Sequence, residues 1–334
     1  MNNSAPSPQD KPLITASDIF KAAQRLRQAG LLFPTPLEPL KTLSQDTGAG
    51  ILLKLENLQR TGSFKLRGAA NKLLALQERL DSKPHVVTAS AGNHGLGVAY
   101  AATHLGITAT IVVPLEASPA KVKALKSYPV ELIQHGAGYE EAESYARQLE
   151  RERGLTFVSA YNDLEVIAGQ GTLALEVLNE LPELTHLLVP AGGGGLLSGV
   201  ALFAKEVNPA IRVIGVQSEA STALTAAIAA GHLVTTPEYP TLADGLAGGL
   251  EAGTVTFDLA QQYVDEMVLV SEESIAGAIR FMVDELHIIA EGSAVVGLAA
   301  LLSKSWQPEP GAVVCSLITG RNIATEKLLK IMHA

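Results

Sequence analysis

The sequence predicts an α/β protein whose strands form open, twisted parallel sheets in two lobes. Short runs of β-branched and other apolar residues recur along the chain, with helical stretches mostly between them, which is typical of βαβ units. A chain of 334 residues is long for one compact core, which favours two lobes. With 47% hydrophobic, 18% charged and 4% aromatic residues, the composition is that of a folded α/β core.

Both strands and helix starts can be located from local patterns. The run at residues 109–113 is almost entirely apolar, as expected when helices cover both faces of a parallel sheet. Ser17, followed by Asp18, and Ser271, followed three residues later by Ser274, are predicted as helix N-caps. The predicted strands are residues 85–88, 109–113, 131–133, 186–189, 212–216, 267–270 and 313–318.

Charge and hydropathy exclude several kinds of partner. The formal net charge is −9, and no block of Lys or Arg is long enough to follow a phosphate backbone, so we expect no nucleic-acid partner. The polar N-terminal segment lacks the apolar region of a secretory signal, and no stretch approaches roughly 18 consecutive apolar residues. Cys315 lies in an apolar run and is expected to be buried. We therefore expect a cytoplasmic protein with no membrane partner and a small polar ligand.

Four consecutive glycines, Gly192, Gly193, Gly194 and Gly195, separate a predicted strand from a predicted helix start. Without Cβ atoms, their backbone N–H groups can converge on one phosphate, and the helix dipole adds partial positive charge. The alternative is a tight structural turn, which rarely needs four glycines. The pattern is neither GxGxxG nor GxxxxGK[ST], so it disfavours a dinucleotide or ATP site.

Lys65 stands in the segment TGSFKLRG, just before a helix predicted over residues 67–80. Burial and the positive end of a helix both disfavour an ammonium group, and a neutral amine is what Schiff-base chemistry requires. Taken alone, a lysine at a helix start is more often a solvated surface residue. The neighbouring motifs decide between these interpretations.

A third strand-to-helix loop, TASAGNHG, contains Ser90, Gly92, Asn93 and His94. Ser90 and Gly92 could hold a substrate carboxylate, and the Asn93 amide could donate to a phenolate-like oxygen. The alternative is that Asn93 and Gly92 only shape a turn. On its own, His94 would more often be structural than catalytic.

The motifs together resemble those of fold type II pyridoxal 5′-phosphate (PLP) enzymes, in particular the serine/threonine dehydratase and serine racemase group. The matching segments are GSFKLRGA, SAGNHG, VIAGQGT, PAGGGGLLSG and TGRN, and the similarity runs from about Ile19 to Lys330. The resemblance implies two tryptophan synthase β-like lobes with PLP in the cleft. It also implies a discontinuous large domain of residues 1–79 and 161–334, a small domain of residues 80–160, and a homodimer or higher homo-oligomer.

The resemblance also implies roles for individual residues. Lys65 matches the catalytic lysine that forms the Schiff base, and Thr319 matches the hydroxyl or thiol that faces the pyridine nitrogen. Glu291 matches a family glutamate near the ring or the substrate, the alternative being a carboxylate that caps a helix. The other expected cofactor contacts are Phe64, Asn93, Gly192, Gly193, Gly194, Gly195 and Leu196, and the expected substrate contacts are Ser90, Ala91, Gly92, Asn93 and His94.

Departures from the family pattern refine the expected activity. Racemases of this group resemble SSGNHG, and the second serine, their acid or base on the opposite face, is Ala91 here. Some members have a GVEP segment and a later aspartate as metal ligands, whereas this chain has Gln217 and Ala223 at these positions. No metal is therefore expected, with Glu219 as the one nearby carboxylate that could serve as a ligand. We therefore expect a PLP-dependent dehydratase that converts a β-hydroxy L-amino acid, such as L-threonine or L-serine, to a 2-oxo acid and ammonia.

Two segments leave the substrate open. Arg321 in TGRN replaces a glycine of the commoner SGGN, and residues 244–251 read DGLAGGLE. Both resemble members acting on other β-hydroxy amino acids, such as phenylserine, 3-hydroxyaspartate or intermediates of hydroxyectoine degradation. Serine racemisation, cysteine synthase-type β-replacement and non-catalytic PLP binding are less favoured alternatives.

Overall fold

The computed structural model describes residues 13–80 and 83–333, which form two sheets surrounded by helices. The strands are β1 (Leu37–Pro39), β2 (Gly50–Leu55), β3 (His85–Ala89), β4 (Thr108–Val113), β5 (Glu131–Gln134), β6 (Thr156–Phe157), β7 (His186–Pro190), β8 (Arg212–Ser218), β9 (Glu266–Val270) and β10 (Val313–Ile318). The helices are α1 (Ala16–Ala29), α2 (Lys41–Thr47), α3 (Lys65–Arg79), α4 (Asn93–Leu105), α5 (Pro119–Leu125), α6 (Tyr139–Arg153), α7 (Leu164–Glu180), α8 (Gly195–Val207), α9 (Ala223–Ala230), α10 (Val255–Tyr263), α11 (Glu272–Asp284), α12 (Val296–Leu302) and α13 (Thr325–His333).

The first sheet has six strands in the order β1-β2-β10-β7-β8-β9. Its pairs are parallel except at the edge, where β1 runs antiparallel to β2. Its two faces are covered by separate apolar clusters, one built around α11 and α12 and the other around α7 and α8. This two-sided burial accounts for the apolar runs in the sequence.

The second sheet has four parallel strands in the order β5-β4-β3-β6. It takes all its strands from residues 85–157, whereas the six-stranded sheet takes its strands from the chain on both sides of that segment. The prediction of an α/β fold with two parallel-sheet lobes is therefore confirmed. The domain boundaries at residues 79/80 and 160/161 stay a prediction, and α3 packs on α4 of one lobe as well as α7 of the other.

All predicted strands are present, but two helix starts differ from the prediction. The N-cap of α1 is Thr15 and not Ser17, because the N–H and the hydroxyl of Thr15 both donate to the Asp18 carboxylate, at 3.1 and 3.0 Å. Helix α3 begins at Lys65 and not at Arg67. Ser271 is the N-cap of α11, as predicted.

Two further expectations can be compared with the structure. Cys315 is buried in β10, as its apolar surroundings predicted. Among residues 13–80 and 83–333, no helix is long and apolar enough to cross a bilayer.

Candidate active site

Lys65 is held where three helices cross. A Cβ on Gly97 of α4 would lie 3.2 Å from the backbone of Lys65 and Leu66, and a Cβ on Gly169 of α7 would lie 2.6 Å from the Arg67 carbonyl oxygen. Glycine at both positions lets α4 and α7 approach the first turn of α3 from two sides. The backbone of Lys65 is therefore fixed by packing from both lobes.

The Lys65 ammonium has a neutral partner. Its Nζ donates to the Ala160 carbonyl oxygen at 2.9 Å, the one hydrogen bond found for it among the described residues. Burial of the amine lowers the pKa of Lys65 to about 8, and the nearby Glu291 carboxylate only partly opposes this shift. A substantial fraction of the side chain is therefore a neutral amine near pH 8.

A chain of polar side chains connects the lobes beside Lys65. Asn93 Nδ2 donates to Glu291 Oε1 at 2.6 Å, while Asn322 Nδ2 donates both to Asn93 Oδ1 at 2.6 Å and to the Thr61 carbonyl at 2.9 Å. Burial raises the pKa of Glu291 to about 7, and the hydrogen bond from Asn93 opposes that rise. Glu291 thus makes a side-chain contact inside the cleft, although it also stands at the N-cap of a short 3₁₀ helix.

Thr319 and Phe64 are brought together at the end of β10. The Phe64 N–H donates to the Thr319 carbonyl at 3.0 Å, and Ser63 forms an isolated antiparallel bridge with Gly320. Thr319 is only 3% exposed. The end of β10 therefore lies directly against the segment that carries Lys65.

The four glycines form the turn between β7 and α8. Gly194 has φ +89°, and a Cβ on Gly192 would lie 2.9 Å from the Cα atom of Leu246, so side chains are excluded at both positions. In the described structure, the N–H groups of residues 192–195 donate to no protein acceptor, and α8 starts at Gly195. Leu196, in its first turn, is buried. Free N–H groups at the start of a 13-residue helix are suited to a phosphate.

The loop of residues 90–94 leads from β3 into α4. The Gly92 N–H donates to Ser90 Oγ at 3.1 Å, which sets the loop's shape, and Ala91 beside them is partly exposed. Burial, together with the positive charge of Lys65, lowers the pKa of His94 to about 3, so its ring is neutral.

The tautomer of His94 follows from its one hydrogen bond. Its Nε2 lies 3.0 Å from the Val158 carbonyl oxygen, so Nε2 carries the proton and the buried Nδ1 is an acceptor with no partner among the described residues. The His94 ring therefore has no free N–H to donate to a ligand.

Ala160 and Tyr161 connect the Lys65 amine with the glycine turn. Ala160 contacts the Lys65 amine, and the backbone of the next residue, Tyr161, packs on Gly195. Tyr161 and Asn322 were missed by sequence reasoning. Asn322 lies within the TGRN motif, but nothing in the local pattern around Tyr161 marked it.

Gln217 supplies an amide where some members of the resembling family have a carboxylate metal ligand. Gln217 Oε1 accepts from both the N–H and the hydroxyl of Thr225, at 2.9 and 2.7 Å, and Ala223 supplies no ligand atom from its side chain. Within the described residues, no group of three or more His, Cys, Asp or Glu side chains could hold a metal ion. That the protein needs no metal stays a prediction.

Comparisons with known proteins agree with this geometry. Residues 29–320 match the model of the family described as "Pyridoxal-phosphate dependent enzyme". The chain is 43% identical over 321 residues to L-threonine ammonia-lyase of Thermotoga maritima, covering 96% of this chain and 79% of that protein. It is 37% identical to L-threonine dehydratase catabolic TdcB of Escherichia coli, covering 95% and 96%. The structure of maize serine racemase superposes with a TM-score of 0.88 at 33% identity, covering 96% and 98%.

Proposed function

This chain belongs to the pyridoxal-phosphate-dependent enzymes, and we propose that it is an ammonia-lyase that converts a β-hydroxy L-amino acid to a 2-oxo acid and ammonia. L-threonine and L-serine are the proposed substrates, because the relatives named for threonine ammonia-lyase or dehydratase activity align along nearly the whole chain. The observation that carries the proposal is the Lys65 amine, which has a lowered pKa and lies beside residue 160.

The residues present fit PLP. The N–H groups of residues 192–195, with no protein acceptor in the described structure, would hold the phosphate, and Lys65 would attach the cofactor. Asn93 would donate to the phenolic oxygen, Thr319 would face the pyridine nitrogen, and Phe64 would lie beside the ring. When bound, PLP supplies an aldehyde that reacts with amines and a ring that withdraws electrons from Cα.

Lys65 Nζ is the proposed base. With a pKa of about 8, the amine is partly neutral at physiological pH and can accept the proton from the substrate Cα. Its contact with the uncharged Ala160 carbonyl leaves it without an ion pair that would favour the ammonium form. We propose that Lys65 alternates between holding the cofactor and moving this proton.

The loop of residues 90–94 is the proposed carboxylate site. Ser90 and the backbone N–H groups at the start of α4 would orient the substrate so that its Cα–H bond points at Lys65. Asn93 is already oriented for donation, because Asn322 engages its Oδ1 and leaves Nδ2 directed toward Glu291 and the cleft. Closure of the two lobes around this loop would exclude water.

Thr319 favours elimination. A hydroxyl at the ring nitrogen does not hold a proton there as a carboxylate would, so the charge that develops at Cα leaves through loss of the β-substituent. Ala91 leaves Lys65 as the one base proposed at Cα. A two-base racemisation is accordingly disfavoured, despite the similarity in fold to maize serine racemase.

The proposal also covers the alternative substrate, the cellular location, the oligomeric state and the domain division. A dehydratase for another β-hydroxy amino acid is the second candidate, favoured by Arg321 and by the DGLAGGLE segment. We also propose a cytoplasmic homodimer or higher homo-oligomer that acts on a free amino acid, with a large domain of residues 1–79 and 161–334. Non-catalytic PLP binding is disfavoured because Lys65, Asn93 and Thr319 are all present.

An assay of 2-oxo acid release tests the proposal. The purified holoenzyme is given L-serine, L-threonine, D-serine, threo-3-hydroxyaspartate and phenylserine separately. We expect release from L-threonine or L-serine, whereas release from none of the five would contradict the lyase activity. Chiral analysis of residual serine tests the role of Ala91, since appreciable D-serine formed from L-serine would contradict one-sided chemistry.

A further inference from the structure

Tyr161 lies between the Lys65 amine and the glycine turn. The residue before it, Ala160, accepts the hydrogen bond from Lys65 Nζ. A Cβ on Gly193 would lie 2.6 to 2.8 Å from ring atoms of Tyr161, and a Cβ on Gly195 would lie 2.8 Å from its Cα. The aromatic ring therefore packs directly on the turn proposed to bind phosphate.

Tyr161 makes one hydrogen bond through its hydroxyl and one through its backbone N–H. Its hydroxyl accepts from the Glu251 N–H at 3.2 Å, and its own N–H donates to Ser159 Oγ at 3.4 Å. The next residue is fixed as well, because Asn162 Oδ1 accepts from the Val255 N–H at 3.1 Å. The backbone of residues 161 and 162 is thus fixed, and a rotation of the ring would break the contact between its hydroxyl and the Glu251 N–H.

The phenol is neutral, and Tyr161 is only partly buried. Burial raises the pKa of Tyr161 to about 12, and the neighbouring Glu251 and Glu143 carboxylates add to the rise. The surface that Tyr161 presents to a ligand is therefore an uncharged aromatic ring whose polar end is occupied by a backbone contact.

We infer that Tyr161 is a specificity-determining residue whose ring limits the size of the substrate's β-substituent. This inference rests on the proposed function, which places the substrate amine at Lys65 and its carboxylate at residues 90–94. With the amine and the carboxylate so placed, the proposed position of the side chain is toward the turn of residues 192–195, where the ring lies. We expect a hydrogen or a methyl group to fit beside this ring and an aryl group to collide with it.

The test compares three holoenzyme variants with the wild type. Tyr161→Ala removes the ring, Tyr161→Phe keeps the ring and removes the hydroxyl, and Tyr239→Ala removes a tyrosine that is 61% exposed and outside the site. L-alanine and L-phenylalanine are titrated into each protein, and their dissociation constants are read from the absorbance of the bound cofactor. Neither ligand carries a β-hydroxyl, so the measurement does not depend on elimination.

The expected result is a change in discrimination. The ratio of the dissociation constants of L-phenylalanine and L-alanine should fall by about tenfold or more in Tyr161→Ala. It should stay within about twofold of the wild-type ratio in Tyr161→Phe and Tyr239→Ala, and binding of L-alanine should persist in all three.

Three results would overturn the inference: an unchanged ratio in Tyr161→Ala, an equal fall in Tyr161→Phe, or loss of L-alanine binding in Tyr161→Ala alone. The third result would show that Tyr161 is needed for amino-acid binding in general and does not discriminate between substrate side chains. If the wild type binds L-alanine but releases no 2-oxo acid from any hydroxy amino acid, the proposed lyase activity fails while the ratio still tests Tyr161. If neither amino acid changes the wild-type absorbance, the inference about Tyr161 is overturned, whereas the lyase activity is judged by 2-oxo acid release alone.

Discussion

Lys65 and Arg67 lie two residues apart in the first turn of α3, yet their surroundings are opposite. Arg67 is fully buried, and its guanidinium donates to the carboxylates of Glu56 and Glu176 at 2.7 to 2.8 Å. The Lys65 amine has a single neutral carbonyl at 2.9 Å. One cation is thus fully paired, and the other is left without a counter-ion in direct contact.

The buried carboxyl groups show the same contrast. Burial tends to raise the pKa of Glu56, but the Arg67 guanidinium, together with Thr35 and Lys54, more than offsets this, and the pKa is lowered. Among the described residues, the Glu291 carboxylate has no cation in direct contact and accepts from the Asn93 amide, and burial raises its pKa to about 7. The ionisable groups that hold α3 in place are therefore paired with opposite charges. Those beside Lys65 lack such partners and have shifted pKa values, as is common at functional sites.

The largest expected effect follows from removal of the unpaired amine. Lys65→Ala should lower kcat for 2-oxo acid formation by at least about 100-fold, because both the attachment point and the base are lost. The absorbance of the bound cofactor should change with it. Lys54→Met is the contrasting variant, since Lys54 is fully buried but paired with Glu180 at 2.7 Å. Lys54→Met should alter stability and leave cofactor attachment in place. Full activity in Lys65→Ala would contradict the role assigned to the unpaired Lys65 amine.

Removal of the paired cation should instead affect stability. Arg67→Met leaves the buried Glu56 carboxylate without its main partner and should lower the free energy of unfolding by about 3 to 5 kcal/mol. Urea denaturation measures this change. Arg212→Ala, which breaks an exposed pair with Glu266, is the control and should cost less than about 1 kcal/mol. Equal losses in the two variants would remove the distinction between the paired cluster and the surface.

Glu291 should make stability depend on pH. Its folded-state pKa is raised to about 7, so its contribution is fully present below the unfolded value near 4.5 and is lost as the pH rises through 7. Across this window the free energy of unfolding of the wild type should fall relative to that of Glu291→Gln, by up to about 3 kcal/mol. Denaturation of both proteins from pH 5 to pH 8 checks this.

The exposed residue Glu273 offers the matched control for that experiment. Glu273→Gln should differ from the wild type by less than about 0.5 kcal/mol throughout the same range. A constant difference between Glu291→Gln and the wild type from pH 5 to pH 8 would show that Glu291 is not perturbed in the folded protein.

The smallest expected effect concerns metal. Gln217 is engaged by Thr225 and offers no carboxylate, so chelation should change activity by less than about twofold. The assay compares the holoenzyme before and after treatment with EDTA. A large loss that Mg²⁺ restores would place a metal site elsewhere in the chain.

Local patterns predicted the fold well because its strands are buried on both faces. Strands β1, β2 and β6 were missed. Strands β1 and β6 have only three and two residues, and Lys54, which pairs with Glu180, interrupts the apolar run of β2. Ser17 was predicted as the N-cap of α1 in place of Thr15 because Ser17 also precedes a helical pattern. The errors therefore concern element boundaries and three strands, one of which contains a buried lysine.

The contacts within the site depend on residues far apart in the chain. Asn93 and Glu291 are 198 positions apart, and Arg67 and Glu176 are 109 positions apart. No periodicity or spacing can pair such residues, so the sequence indicated the motifs but not their partners. Tyr161 is the clearest case, because its position against the glycine turn becomes visible only when the chain is folded.

Borohydride reduction of the holoenzyme, followed by peptide mass mapping, tests most directly whether Lys65 holds the cofactor. Reduction fixes the cofactor to the amine that holds it. We predict a pyridoxyl phosphate adduct on Lys65, with none on the paired Lys54 or on Lys72, which lies in an ion pair with Asp163. An adduct on another lysine, or none on a protein that retains its cofactor absorbance, would contradict the assignment of Lys65.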